Sequence, residues 1–313
     1  MYKFIRTMFK HLYLLLQIII PQKLFIAISF RVMYLANKQV VSKYRKKYNV
    51  KLLGEMGGKL KKSNTLFILG SGSSVNSLTN EQWEEIKKHD SVGFNFWFLH
   101  DFTPSFYVYE ENLNTERNDI FYDILSTKKE DYKDIPFIVK DIEYKGLTYE
   151  KIPEELRDQF YLSTDITFQS QKNDLQLFYK LGYEFIRQLN KDIEIKVLLK
   201  KSGTLSYLLT LGEQLGYKKI VLCGVDLNNS KYFYDSTLYK EKFKIPAIPI
   251  NSMEKHPTNQ ALNGNIPMEE IISVIDQTIL VPKGIKLYIG SKTSALYPKL
   301  PYYFDEQEES EVN

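Results

Sequence analysis

One cysteine in 313 residues, Cys223, excludes any disulfide within the chain and fits a reducing compartment. Histidine is nearly as scarce, with four: His11, His89, His100 and His256. No CxxC or HExxH spacing occurs, so no structural zinc or zincin-type centre is expected. An uninterrupted apolar run of the ~20 residues that span a bilayer is also missing. The first run, residues 12–20, is stopped by Pro21, Gln22 and Lys23; the second, 24–35, is broken by Arg31. Joining them would place proline and lysine near mid-bilayer, which is unfavourable. No small-residue cleavage site follows Ile20, so a secretory signal fits poorly.

Acidic residues are almost missing from the start of the chain. Residues 1–62 hold fourteen of the 42 Lys/Arg but only one of the 38 Asp/Glu, Glu55. That stretch carries about +13 and the remainder about −9, an asymmetry that points the first part at something anionic. Lys3, Arg6 and Lys10 precede the apolar runs, and Lys43, Arg45, Lys46, Lys47 and Lys51 follow them. The pattern reads as a membrane-surface hairpin or pair of amphipathic helices, with apolar side chains in lipid and bases on acidic headgroups. Attachment would be peripheral or monotopic. A helical cap packed on the main domain is a second reading. A basic nucleic-acid arm is a third, which the apolar runs disfavour.

A hydrophobic fraction of 43% with 23 Tyr and 19 Phe supplies a sizeable core. Gly54, Gly57 and Gly58 followed by 59–63 read as a linker. From there short β-type runs alternate with helical patterns, predicting an α/β domain over 63–304 with a Rossmann-like, mostly parallel sheet flanked by helices. Strands are expected at 65–69, 92–98, 106–109, 136–139, 196–199, 220–226 and 286–289. Helices are expected from 80 to about 89, capped by Thr79 with Gln82 as a capping box, and over 175–189, 203–215 and 268–279. Gly216 suits a C-cap. The region around 228–265 reads as a lid, and the acidic tail 305–313 as disordered.

Four constellations could carry chemistry. Gly70-Ser71-Gly72-Ser73-Ser74 follows the first strand, where backbone N–H groups and hydroxyls can hold a phosphate or ribose. Val75 replaces the third glycine of a dinucleotide fingerprint, and no Gly-Lys-Ser/Thr of a Walker A loop follows; a plain turn is the bland alternative. Ser202-Gly203-Thr204 opens a helix, whose positive end favours an anion, although Ser202 would serve equally as an ordinary N-cap. Asp226 ends a buried strand, where open α/β sheets bind ligands, and Tyr232 and Tyr234 follow as phenols able to donate to a departing phosphate or as plain surface aromatics. His256 lies in a loop and could act as a general base. His89, near a helix end, reads as a dipole partner, and His100 is a weaker candidate.

In this order the pieces resemble the bacterial sialyltransferases of glycosyltransferase family 42. The resemblance covers roughly 65–300. It runs through the glycine loop, Asn95 in Gly93-Phe94-Asn95-Phe96, Ser202-Gly203-Thr204, Leu215-Gly216-Tyr217, Gly224-Val225-Asp226, Tyr232, His256, and Ile285-Lys286-Leu287-Tyr288. It implies a GT-A-like nucleotide-binding domain and a CMP-activated acidic sugar donor: sialic, pseudaminic or legionaminic acid, or Kdo. It also implies inversion at the anomeric carbon, a cell-surface glycan acceptor, no metal or other cofactor, and the cytoplasmic face of the bacterial inner membrane. No obvious DxD motif occurs. Carried over by position, Gly70, Ser71, Gly72, Ser73 and Asn95 would contact the cytidine nucleotide, with Asp226 beside them. Ser202, Gly203 and Thr204 would hold its ribose or base. Tyr232, with Tyr234, would bond the departing phosphate, and His256 would deprotonate the acceptor. Ser71 stands where the family has asparagine, and Asn228 at one of its two tyrosine positions. Family members commonly attach to membrane through the C-terminus, unlike this chain. Another nucleotide-dependent transferase, methyltransferase- or pyrophosphokinase-like, is an alternative, as is an inactive membrane-associated glycan-assembly factor.

Overall fold

The structure is a computed structural model that describes residues 20–111, 115–140, 142, 146–167, 174–190, 194–237, 239, 241, 255–261 and 265–305. The segment 1–19 with His11, parts of the expected lid (238, 240, 242–254 and 262–264) and the tail from 306 lie outside these residues.

Eight strands form one sheet: β1 (Lys51–Leu52), β2 (Thr65–Leu69), β3 (Asp90–Phe94), β4 (Phe106–Glu110), β5 (Phe137–Lys140), β6 (Phe160–Leu162), β9 (Lys219–Cys223) and β10 (Lys286–Ile289). Their spatial order is β1-β6-β5-β4-β3-β2-β9-β10, and every neighbouring pair is parallel. β7 (Asp165–Thr167) and β8 (Leu198–Lys200) make a separate parallel pair. The central strands are apolar throughout because both faces are covered. In β2, Leu66 and Ile68 enter one core layer while Phe67 and Leu69 enter the other; Ile220 and Leu222 of β9 oppose Val221 and Cys223 in the same way. Side chains alternate across a strand, so one five-residue run serves two layers.

The first layer is closed by α1 (Gln22–Tyr48), α4 (Leu175–Leu189), α5 (Thr204–Gln214) and α6 (Met268–Ile275), which contribute Phe30, Phe178, Leu208 and Ile271. The second is closed by α2 (Asn80–Lys87) and α3 (Thr115–Thr127), through Ile86, Phe121 and Leu125. Thr79 caps α2 and Gln82 returns the bond, as the capping box requires.

Several expectations are corrected. The stretch 54–63 is no linker: Leu53, Met56 and Leu60 are buried in a 3₁₀ segment, and β1 pairs with β6, so the domain begins before residue 63. The second strand begins at Asp90 and stops at Phe94, because the chain turns at Asn95 (φ 56°). Trp97 folds back onto Gly93, where a Cβ would meet its ring at 2.6 Å, and its indole N–H donates to the Phe102 carbonyl at 3.0 Å. The aromatic run is thus buried by turning rather than by extending the strand. The last helix ends its α portion at Ile275 and continues as a π turn over Asp276–Leu280. Of the N-terminal apolar stretch, residues 22–48 form a single helix packed by one face on the domain.

The topology fixes where a ligand can sit. From β2 the chain builds outward through β3, β4, β5 and β6, then returns to lay β9 and β10 on the other side of β2. The loops after β2 and β9 therefore diverge and leave a crevice at their carboxyl ends, the switch point at which open α/β sheets bind ligands.

Candidate active site

A cleft of about 370 Å³ occupies that crevice, within the range of small-molecule sites. Ser71 and Gly72 come from the loop after β2, and Gly224, Val225, Asp226 and Leu227 from the loop after β9.

The glycines serve the junction between these strands. Gly70 N–H donates to the Cys223 carbonyl at 2.7 Å and Gly72 N–H to the Gly224 carbonyl at 2.8 Å. A Cβ on Gly72 would lie 2.7 Å from the Gly224 oxygen, and one on Gly224 (φ +64°) 2.2 Å from the Gly70 oxygen. The N–H groups of Ser73, Ser74 and Val75 are likewise taken, by the Lys231 carbonyl, Asp226 and the Gly72 carbonyl. The expectation that loop N–H groups cradle a phosphate is corrected: at these five residues they are satisfied internally. What the loop offers is Ser71, whose Oγ is buried and has no hydrogen-bond partner among the described residues. Gly70 and Ser73 do not line the cleft.

Asp226 does line it, but its carboxylate is engaged with the loop. It accepts from Ser74 N–H at 3.0 Å, from Ser74 Oγ, and from Ser73 Oγ at 3.4 Å. Its role is to pin the two loops together rather than to present a free acceptor to a nucleotide.

The segment after β9 doubles back along the glycine loop. Ser73 N–H donates to the Lys231 carbonyl (3.2 Å) and Phe233 N–H to the Ser71 carbonyl (3.0 Å), forming an antiparallel bridge between Gly72 and Tyr232. That pairing delivers Tyr232 and Tyr234 to the cleft, stacked 5.0 Å apart with ring planes 10° from parallel. Burial raises both phenol pKa values, while the nearby Arg117 charge partly opposes the rise. Both are therefore protonated donors at neutral pH.

His256 faces Tyr232. Its backbone N–H donates to the Leu227 carbonyl at 3.4 Å, its Nε2 lies 3.4 Å from the Tyr232 hydroxyl, and the rings meet edge to face. On the other side Nδ1 is 2.7 Å from Thr258 Oγ1 and 3.3 Å from Thr258 N. The amide can only donate to Nδ1, whereas the hydroxyl can donate to Nδ1 or accept from it, so the hydroxyl fits either tautomer and the amide only one. With Nδ1–H donating to the hydroxyl, the Nε2 lone pair opens toward the cleft; with Nδ1 accepting from the amide, that lone pair is lost. A base at Nε2 requires the first, in which the Thr258 hydroxyl accepts from Nδ1–H. Burial lowers the His256 pKa below 6.5, against an opposing pull from Asp226, so the ring is predominantly neutral at pH 7.

The opposite wall is the start of α5. Gly203, Thr204 and Leu205 line the cleft, and the helix presents its positive end there. Gly203 is the N-cap residue with no side-chain cap; Ser202 adopts φ 61°, neither caps the helix nor lines the cleft, and so departs from its expected role. Thr204 donates its hydroxyl to Glu110 at 2.9 Å, and Glu110 pairs with the buried Lys140 at 2.7 Å and with Lys200 at 3.6 Å. Asn95 lies between the cleft and a side chamber of about 150 Å³ that Glu110, Arg117 and Thr204 also line.

The fold thus gathers Ser71, Gly72, Asn95, Gly203, Thr204, Asp226, Tyr232, Tyr234 and His256 around one space. Gly70, Ser73 and Ser202 stand behind it. His89 pairs with Glu85 at 3.1 Å, and His100 stacks on Trp97 while accepting from Phe102 N–H; neither reaches the cleft. Two residues that sequence reasoning passed over belong to the site. Thr258 holds the histidine. Arg117, on α3, lines both spaces with its guanidinium 5.1 Å from the Phe96 ring centre. The signal for α3 was present in Phe121 and Leu125, at helical spacing within a charged stretch. Among the described residues no three His, Cys, Asp or Glu side chains converge as a metal ion would require.

No family model and no curated protein matches the chain. The solved structure of monofunctional α-2,3-sialyltransferase Cst-I from Campylobacter jejuni aligns with 76% of this chain and 80% of its own, at 16% sequence identity and a TM-score of 0.40. A similarity of that size carries no function across.

Proposed function

We propose that this chain is an inverting glycosyltransferase that moves an acidic sugar of the sialic, pseudaminic, legionaminic or Kdo type from a CMP-sugar to a hydroxyl of a glycan acceptor, without a metal. The observation that carries the reading is a neutral histidine, His256, set 3.4 Å from the Tyr232 phenol in a cleft whose far wall is a helix N-terminus.

The chemistry follows from those parts. The bond from the anomeric carbon to the CMP phosphate breaks as the acceptor oxygen attacks from the opposite face. The acceptor proton passes to His256 Nε2, and the electron pair leaves on the phosphate. General base catalysis of this kind contributes ~10²–10⁴-fold. The growing phosphate charge needs preorganised donors, and Tyr232, Tyr234, Arg117 and the first turn of α5 are the candidates. Asn95 and Ser71 retain side-chain polar groups for the nucleotide. The internal use of the glycine-loop N–H groups weighs against a dinucleotide-type phosphate cradle.

The test is a panel of CMP-sugars offered to the purified protein, reading released CMP with and without glycan acceptors. His256→Ala is expected to abolish transfer while CMP binding persists. Full activity in that variant removes His256 as the base, and failure of every CMP-sugar and of CMP itself to bind removes the donor class.

A further inference from the structure

We infer that α1 is an in-plane membrane-docking helix, held to the enzyme by one face and inserted by the other into the surface of an anionic bilayer.

The helix has two apolar faces, and the fold uses only one. Phe25, Ile26, Phe30 and Val41 are buried. Phe30 packs at a tilt on Phe178 and stacks on Phe185 of α4, with ring centres 5.3 and 5.9 Å away. Asn37 donates its amide to the Asp165 carbonyl of β7 at 2.5 Å, and Gln22 bonds Asp174 at the start of α4. The opposite face carries Leu24, Ile28, Val32 and Leu35, exposed by 53, 43, 60 and 63%. On a 3.6-residue helix these four fall within about 80° of one another. Apart from Val281 and Tyr297, they are the large hydrophobic side chains left exposed among the described residues.

Charge names the occupant. Arg31 and Lys38 are exposed along one border of the stripe and Lys43 along the other, and the last turn adds Lys46, while Arg45 and Lys47 pair with Glu55 and Glu150. An apolar stripe rimmed by long basic side chains matches an acidic headgroup layer, in which bases snorkel while aliphatic groups descend below them. A second copy of this chain would bring the same basic rims together and repel itself. The preceding residues, with Lys3, Arg6 and Lys10 ahead of the apolar run 12–20, have the same composition. By length and composition α1 could cross a bilayer. Crossing would tear Phe25, Ile26, Phe30 and Asn37 from the core and draw Arg31 into hydrocarbon, so the helix lies flat. This inference does not depend on glycosyl transfer.

The experiment uses the full chain and phosphatidylglycerol-containing vesicles, with pure phosphatidylcholine vesicles alongside. Wild type is expected to co-sediment with the anionic vesicles. The combined variant Leu24→Ser, Ile28→Ser, Val32→Ser and Leu35→Ser loses at least ~100-fold in partitioning, with its circular dichroism unchanged because these side chains point outward. Arg31→Gln, Lys38→Gln and Lys43→Gln each lose about fivefold, a loss that added salt imitates. Cys223 is fully buried, so an environment-sensitive label can be placed on Ile28→Cys. It shifts on vesicle addition, whereas the same label on Lys87→Cys of α2 does not. Unchanged partitioning of the four-serine variant overturns the inference. So does a wild-type dimer that ignores vesicles and that this variant splits.

Discussion

Replacing Thr258 by valine tests how the candidate base is held. The side chain keeps its shape and loses Oγ1, the atom 2.7 Å from His256 Nδ1. What remains beside Nδ1 is the Thr258 amide N–H at 3.3 Å, which favours the tautomer whose Nε2 is already protonated. In the base-competent ring Oγ1 accepts from Nδ1–H, a net hydrogen bond of about 0.5–1.5 kcal/mol that valine removes, so the productive tautomer falls by at most ~13-fold. The loss is larger if the bond strengthens as the ring gains charge in the transition state. The expected kcat is therefore about tenfold down, well short of the ~10²–10⁴ attached to removal of the base itself. CMP affinity is unchanged, because Thr258 holds the ring rather than the phosphate.

The pH profile provides a second readout with a defined sign. Burial places the His256 pKa below 6.5, so activity falls as acid protonates the ring, on a limb below that value. Thr258 Oγ1 accepts from Nδ1–H in the imidazolium, where the bond is charge-assisted and stronger than in the neutral ring. Removing it disfavours the charged form, lowers the pKa further and moves the acid limb to lower pH. Steady-state kinetics of CMP release across pH would show both effects. An unchanged kcat, or an acid limb displaced upward, refutes the tautomer argument.

Arg117→Met is expected to weaken donor binding by more than ~10-fold, the value of one hydrogen bond to a charged group, as read by calorimetry with CMP-sugar. Asp226→Asn weakens the clamp on Ser74 and lowers the melting temperature by a few degrees. It also removes the charge that raises the His256 pKa, so its acid limb moves down as well. Gly224→Ala and Gly284→Ala form a matched pair, with φ +64° and +67°. Both incur ~1–2 kcal/mol for the left-handed backbone. Only the first drives a Cβ to 2.2 Å from a backbone oxygen, while the second meets nothing within 4 Å. Denaturant melts should show Gly284→Ala folded and Gly224→Ala severely destabilised; equal melts would show that the junction yields.

The central strands were legible because a strand buried on both faces has a simple signature: TLFIL and KIVLC are apolar at nearly every position. The amphipathic helix over 175–189 was legible for the complementary reason, one apolar stripe at helical period. The turn at Asn95 was not, because GFNFWF satisfies a strand pattern and only the packing of Trp97 on Gly93 ends it. β1 and β6 are two and three residues long, too short to leave any periodicity. At the site, residue types were readable but the use of backbone groups was not. A glycine that admits a ligand and one that admits a neighbouring strand look alike in sequence. Thr258 and Arg117 stayed hidden because their importance lies in what they face, from segments of no distinctive pattern.

The position of the glycine loop has a consequence for the chemistry. Tyr232 reaches the cleft because its segment pairs with Ser71 and Ser73, and His256 because its amide bonds Leu227 just past Asp226. Phenol and imidazole are thus both suspended from the β2–β9 junction, one from each of the loops that Asp226 ties together. A perturbation that opens the junction must move donor and base at once, lowering phosphate affinity and kcat together. One confined to the 256–258 turn moves the base alone. The ratio of the two losses, compared between Asp226→Asn and Thr258→Val, therefore measures whether the glycine loop acts on the reaction as a ligand contact or as the frame that sets the distance between Tyr232 and His256.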